Sequence, residues 1–245
     1  MVSSKKNSSK NDSRREIIKI IIISLVGIAL AAFIGYALIS IHDNQKVITE
    51  PGFKTGAGLD ELKPIIYLYP QSELSLNLKL GKPENLTTTY PKYSPEGWDV
   101  LASPNGDLVD QNTGRKLYAL YWEGKSDFSK VNLSTGFIVK SEDVASFLEE
   151  KLETLGLNYK ESEEFITYWL PKLEKNPYNY IHFLTADEIE SGMPIYLSTQ
   201  PDTTIRVRMI FKGLDQAHSV NEQKLETAPV RNGFTMVEWG GSEIE

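Results

Sequence analysis

The sequence predicts an α+β protein: an N-terminal transmembrane helix, then a single outer domain with a mainly antiparallel sheet and a two-helix segment over about 141–174. Three observations carry this. Ile20 to Ile41 is an apolar run without a charged residue. Beyond it, segments of alternating apolar residues precede and follow a stretch with helical spacing. The chain also has no cysteine, so the outer domain is held by its core alone and not by disulfides.

As a helix the run spans about 33 Å, enough to cross a hydrocarbon core of ~30 Å. It exceeds the ~7–15 apolar residues of a cleaved signal peptide and reads as an uncleaved signal-anchor. The preceding segment carries Lys5, Lys6, Lys10, Arg14, Arg15 and Lys19 against Asp12 and Glu16, while the whole chain is at −7. Basic flanks stay cytoplasmic. The expectation is a single-pass protein of the cell membrane, N-terminus cytoplasmic and C-terminal domain extracytoplasmic, with the lipid bilayer as its partner through Ile20–Ile41. Gly27, Ala31 and Gly35 recur on one helix face and suit close packing against a second copy or a membrane partner. The expected segments are a disordered basic tail (1–19), the membrane helix (20–41), a flexible tether with Pro51, Gly52, Gly56 and Gly58 (42–62), the domain (63–241) and a short tail (242–245). The acidic balance excludes nucleic acid, which needs clustered Lys and Arg.

Within the domain, Pro64 to Tyr69 is an apolar, β-branched and aromatic run and reads as a strand buried on both faces. Leu74, Leu76, Leu78 and Leu80 alternate with polar residues, the period of a strand with one wet face. Trp98–Ala102, Lys116–Trp122 and Gly136–Lys140 are further strands, separated by turns at Pro104–Asp107 and Asn112–Gly114. Ser141 is placed to cap a helix carrying Val144, Phe147, Leu148, Leu152 and Leu155, stopped by Gly156. A second helix is expected from about Lys160 to Leu170, kinked or ended by Pro171. Strands return at Tyr180–Leu184 and Pro194–Ser198, with a helical turn at Ala186–Glu190 between them. They continue at Ile205–Lys212, where Arg206 and Arg208 alternate with apolar residues, and at Phe234–Trp239.

Two carboxylates stand beside tryptophans near glycine, Glu123 in YWEG and Glu238 in VEWGG. Two carboxyl groups across a cleft are what glycoside hydrolysis uses, one as acid and one as base or nucleophile. Pairing with Arg206, Arg208 or Arg231 is the structural alternative. Aromatics at strand ends and loops, Trp98, Trp122, Tyr178 and Trp239 among them, are candidates to stack on sugar rings or clasp a peptide, or else close the core. Of the three histidines, His182 falls inside a strand, and no paired-histidine spacing exists. Asp110, Asn112 and Gly114 begin like a calcium loop, but the twelfth position is Tyr121 where a glutamate is needed. No metal and no cofactor are expected, and no phosphate loop or cysteine nucleophile is present.

KPIIYLYP, YPKYSPEGW, YWEG, EFITYWLP, NPY, PDTTIRV and GFTMVEWGG together resemble a family of uncharacterised bacterial secreted or membrane-anchored domains. The resemblance covers about 63–241 and implies one outer domain. It transfers no activity and no catalytic residue. The reading is a domain that binds or scaffolds at the cell surface. Hydrolysis of glycan or cell wall through Glu123 and Glu238, and service as a subunit of a membrane complex, are the alternatives.

Overall fold

A computed structural model describes residues 58–244, which belong to the unit Thr49–Glu245 of the chain. The first seven strands are β1 (Leu59–Tyr69), β2 (Leu74–Leu80), β3 (Leu86–Tyr90), β4 (Trp98–Ala102), β5 (Leu108–Asp110), β6 (Lys116–Leu117) and β7 (Leu120–Ser126). Strand β8 (Thr135–Lys140) leads into helices α1 (Val144–Thr154) and α2 (Tyr159–Leu173). The chain closes with β9 (Tyr178–Phe183), α3 (Ala186–Gly192), β10 (Ile195–Leu197), β11 (Thr203–Leu214), β12 (Asn221–Glu222) and β13 (Thr235–Glu243).

These strands make two sheets, an eight-stranded one ordered β12-β8-β9-β11-β13-β1-β7-β3 and a five-stranded one ordered β10-β2-β4-β5-β6. Most ladders are antiparallel; β11–β13 and β12–β8 are parallel. Alternation sends Ile65, Tyr67, Val237 and Trp239 to one face of the large sheet, where Leu148 and Leu152 of α1 and Phe165 and Trp169 of α2 bury them. Ile66, Leu68, Leu120, Trp122 and Met236 take the other face, against Leu76 and Leu78 of β2 and Trp98 and Val100 of β4. Farther along that face a third cluster joins Phe128, Ile189, Ile210 and Ile244. The large sheet is therefore covered on both sides, by helices on one and by strands and α3 on the other.

This corrects the expected fold class. Among the described residues the chain is mostly sheet with few helices, because the small sheet and not a helical layer covers the second face. The membrane helix, the single-pass keywords and the cell-membrane localisation with an extracytoplasmic domain are corrected with it. No helix among the described residues is long and apolar enough to cross a membrane. The longest, α2, has 15 residues, about 22 Å against a core of ~30 Å, and its exposed side is charged. The expected tail, Ile20–Ile41 and the packing residues Gly27, Ala31 and Gly35 lie outside the described residues.

Local chemistry explains where the elements begin and end. Ser141 does not cap α1; it opens a 3-10 turn, and its hydroxyl donates to the Glu174 carbonyl. Gly156, at φ +86, ends α1, with the Leu157 N–H reaching back to the Leu152 carbonyl. Asn158 caps α2 in a capping box with Glu161. Pro171 does not end α2, which runs to Leu173. Its missing N–H falls in the last turn, and Trp169 and Leu173 are fully buried on either side of it. Strand β1 begins at Leu59 and is central, yet contains Pro64. A bulge between Leu62 and Ile65 absorbs the proline and turns Lys63 to φ 59.

Candidate functional site

Glu123 and Glu238 lie on opposite faces of the large sheet. Glu238, on β13, shares the face of Met236 and accepts a 2.9 Å hydrogen bond from the Trp122 indole. Glu123 is next to Trp122 in β7 and so points the other way, where it accepts the Lys63 N–H at 3.2 Å. No cleft holds both, and they do not make an acid–base pair.

Glu238 belongs to a buried run of alternating charge. The Arg206 Nε donates to it at 2.7 Å, and the Arg206 Nη1 reaches the exposed Glu190 at 2.7 Å. Arg208, 1% exposed, lies 3.0 Å from Glu238 and 3.1 Å from the buried Glu61. Its N–H groups are not aligned on those oxygens, so these are ion pairs without well-formed hydrogen bonds. The Arg208 guanidinium also sits 5.3 Å from the Trp122 ring, in space that a side chain at Gly240 would fill. Burial pushes the Glu238 carboxyl up, but Arg206 and Arg208 outweigh it and hold it below the ordinary value. Burial pushes Glu61 up and Glu238 adds to the rise, while Arg208, then the Ser126 hydroxyl and Arg206, pull it back incompletely. For Arg208, burial lowers and the two carboxylates raise, leaving it above its usual value. Glu61, Arg208 and Glu238 are closed to solvent, Arg206 leads from them to the exposed Glu190, and the cluster ties β1, β7, β11 and β13 together.

The helix face offers a different arrangement. Glu164, Tyr168 and Lys172 recur every four residues along α2 and form a stripe beside the buried Phe165 and Trp169. Facing them are Tyr121 and Glu123 of β7, Tyr90 of β3 paired with Tyr121, and Tyr118 just before β7. The Tyr67 hydroxyl donates to Glu164 at 2.6 Å, and the Tyr67 ring lies 6.4 Å from that of Tyr118. Lys63 Nζ stands 5.6 Å above the Tyr121 ring, and Lys172 Nζ 4.3 Å above that of Tyr168. Arg115 Nη1 donates to the Tyr90 hydroxyl at 2.8 Å. Burial, then proximity to Glu123, raises the Tyr121 and Tyr168 hydroxyls; burial, then Glu164, raises that of Tyr118. Tyr118 and Tyr90 are nonetheless 56% and 48% exposed. The result is a shelf of tyrosines between α2 and the edge of the sheet, with carboxylates and ammonium groups set among the rings.

No protein-family model matches the chain. No solved structure matches it. A stretch of 67 residues, 26% of this chain, is 34% identical to an uncharacterised protein in the bglA 3′ region of Butyrivibrio fibrisolvens, over 68% of that protein's length. The chain belongs to the family of that protein. Membership brings no activity with it.

Of the aromatics singled out from sequence, Trp98, Trp122 and Trp239 are core residues. Trp98 donates to the Pro91 carbonyl and meets the edge of Tyr93; Trp239 donates to the Tyr67 hydroxyl. Tyr178 is half-buried at a depression of 630 Å³ between the ends of α1 and α2. Asp110 spends both carboxylate oxygens on its own turn, on the Asn112 N–H and the Thr113 hydroxyl. His182 is buried with Nδ1 against the Thr135 carbonyl. Among the described residues no group of three or more carboxylates, histidines or cysteines is set to hold a metal. Sequence reasoning reached Glu123 but missed Tyr118, Tyr121 and Tyr168 around it. Two signals were available: the i, i+4, i+8 stripe of Glu164, Tyr168 and Lys172, and a lysine–proline pair inside an apolar strand.

Proposed function

We propose that the family member's domain is a binding module whose ligand lies along the tyrosine shelf. The observation that supports this most is Lys63. Among the described residues it is the non-glycine residue with positive φ, a conformation that costs roughly 1–2 kcal/mol. The strain sits in the central strand at the shelf, where it sends the Lys63 N–H to Glu123 and its ammonium to Tyr121. Exposed rings with polar tips, beside acceptors and donors already held in place, suit a ligand with flat apolar faces and polar edges. The hydrolytic alternative drew on two carboxylates that lie on opposite sides of a sheet and gains no support from them.

The test is a binding screen of the wild-type chain and a Tyr90→Ala/Tyr118→Ala double variant against arrays of glycans and of peptides. Both substitutions are at exposed positions and should leave the unfolding midpoint nearly unchanged. The expected result is a ligand class held by the wild type and lost, by about tenfold or more, in the variant. Equal binding by both proteins would move the site elsewhere.

A further inference from the structure

We infer that the ligand of the shelf is an acidic polysaccharide, its sugar rings on Tyr118 and Tyr90 and its carboxylates at Lys63 and Lys172. This rests on the shelf being the binding surface. Lys63 and Lys172 are half-buried without an ion pair among the described residues; Lys92, Lys116, Lys130, Lys160, Lys175 and Lys224 also lack one but are exposed, Lys82 donates to the Ser191 carbonyl, and Lys79, Lys125, Lys140 and Lys151 each meet a carboxylate. The Lys63 and Lys172 ammonium groups each rest on a tyrosine ring. A ring face satisfies part of the charge and leaves N–H donors directed away from it, ready for an incoming anion.

The carboxylates of the shelf do not cancel this attraction, because they are engaged. Glu123 takes the Lys63 N–H and the Tyr121 hydroxyl, and Glu164 takes the Tyr67 hydroxyl. Their remaining lone pairs suit hydroxyl donors, which a sugar supplies in number. Arg115, at the Tyr90 end, adds a third cation at the rim. Three cations are too few for a nucleic acid backbone, whose binding relies on many phosphate contacts. Anion and hydroxyls on one rigid ring match a uronate better than an extended acidic peptide, which lacks the hydroxyl donors.

Affinity electrophoresis of the full chain tests this, in gels containing polygalacturonate, neutral hydroxyethylcellulose or poly-L-glutamate. Polygalacturonate should retard the wild type at least about tenfold more strongly than either other polymer, and high salt should weaken the effect. Lys172→Gln alone, and with Lys63→Gln, should cut retardation by about tenfold or more. Lys172→Gln keeps the backbone of the bulge intact, so its loss of binding does not report misfolding. Tyr118→Ala should also abolish retardation. Retardation by hydroxyethylcellulose as strong as by polygalacturonate, and sensitive to Tyr118→Ala, would overturn the acidic class while leaving the shelf as the site. Equal retardation by poly-L-glutamate would overturn the sugar. Retardation that ignores Tyr118→Ala would overturn both readings, and none by any polymer would overturn the acidic polysaccharide while leaving the shelf to the array screen.

Discussion

Glu61 and Glu238 face the same guanidinium and are pushed in opposite directions, Glu61 above and Glu238 below the ordinary carboxyl value. Each shift sets its own pH window. With Glu61 the folded state takes up a proton before the unfolded state does, so stability rises as pH falls from above the raised value toward 4.5. With Glu238 the unfolded state protonates first, so stability is lost as pH falls below 4.5. His182, lowered by burial, works against Glu61: its contribution is complete above 6.5 and is lost as pH falls from there through its depressed value. Urea unfolding across pH should therefore show a steeper acid loss in Glu61→Gln and a shallower one in His182→Gln; unchanged profiles in both would remove these groups from the account. Glu238→Ala leaves Arg206 and Arg208 without their shared carboxylate and should cost roughly 3–5 kcal/mol. The alternation of Arg206 and Arg208 with apolar residues was visible in the sequence. Period two, however, marks which face a side chain takes and not what covers it. A second sheet on the arginine side makes that face a dry one.

At the scale of elements, the Lys63–Pro64 bulge and the two helices make separable predictions. Lys63→Gly removes the left-handed penalty of ~1–2 kcal/mol and gives back about 0.5–1 kcal/mol in chain entropy. It should therefore leave the domain slightly more stable while weakening retention on polygalacturonate. A variant both less stable and still binding would show that the strain serves no ligand. Asn158→Ala removes the cap of α2 and should cost ~0.5–2 kcal/mol. Leu148→Ala, in the fully buried face of α1, should cost ~2–5 kcal/mol; denaturant midpoints measure both. Strands such as Leu74–Leu80 and Trp98–Ala102 were legible because their alternation is complete and turns bound them. Strand β3 was not legible, because Thr87, Thr88 and Thr89 lie at a sheet edge where no burial pattern is imposed. The run at 116–122 splits into β6 and β7 because Tyr118 leaves the ladder and turns to the shelf.

Across the whole molecule, the large sheet joins segments from both ends of the described chain: β1 pairs with β13, and β13 lies parallel to β11. Neither strand order nor the parallel pair could be read from hydropathy, since both depend on which buried strands choose each other. The domain also extends past its expected bounds of 63–241. Leu59 to Glu61 pair with β7, and Ile244 is buried with its N–H on the Phe211 carbonyl. A chain of residues 49–245 should unfold in one transition, alike with and without reductant because it has no cysteine, and one of 63–241 should have a clearly lower urea midpoint. Equal midpoints would place those terminal residues outside the cooperative unit. The position of β13 between β1 and β11 also bears on biosynthesis. A growing polypeptide presents the facing edges of β1 and β11 with nothing between them until Glu243 has left the ribosome. Native pairing of the central strands therefore waits for β13, and a product cut short before it is left with two adhesive edges in place of a smaller working domain.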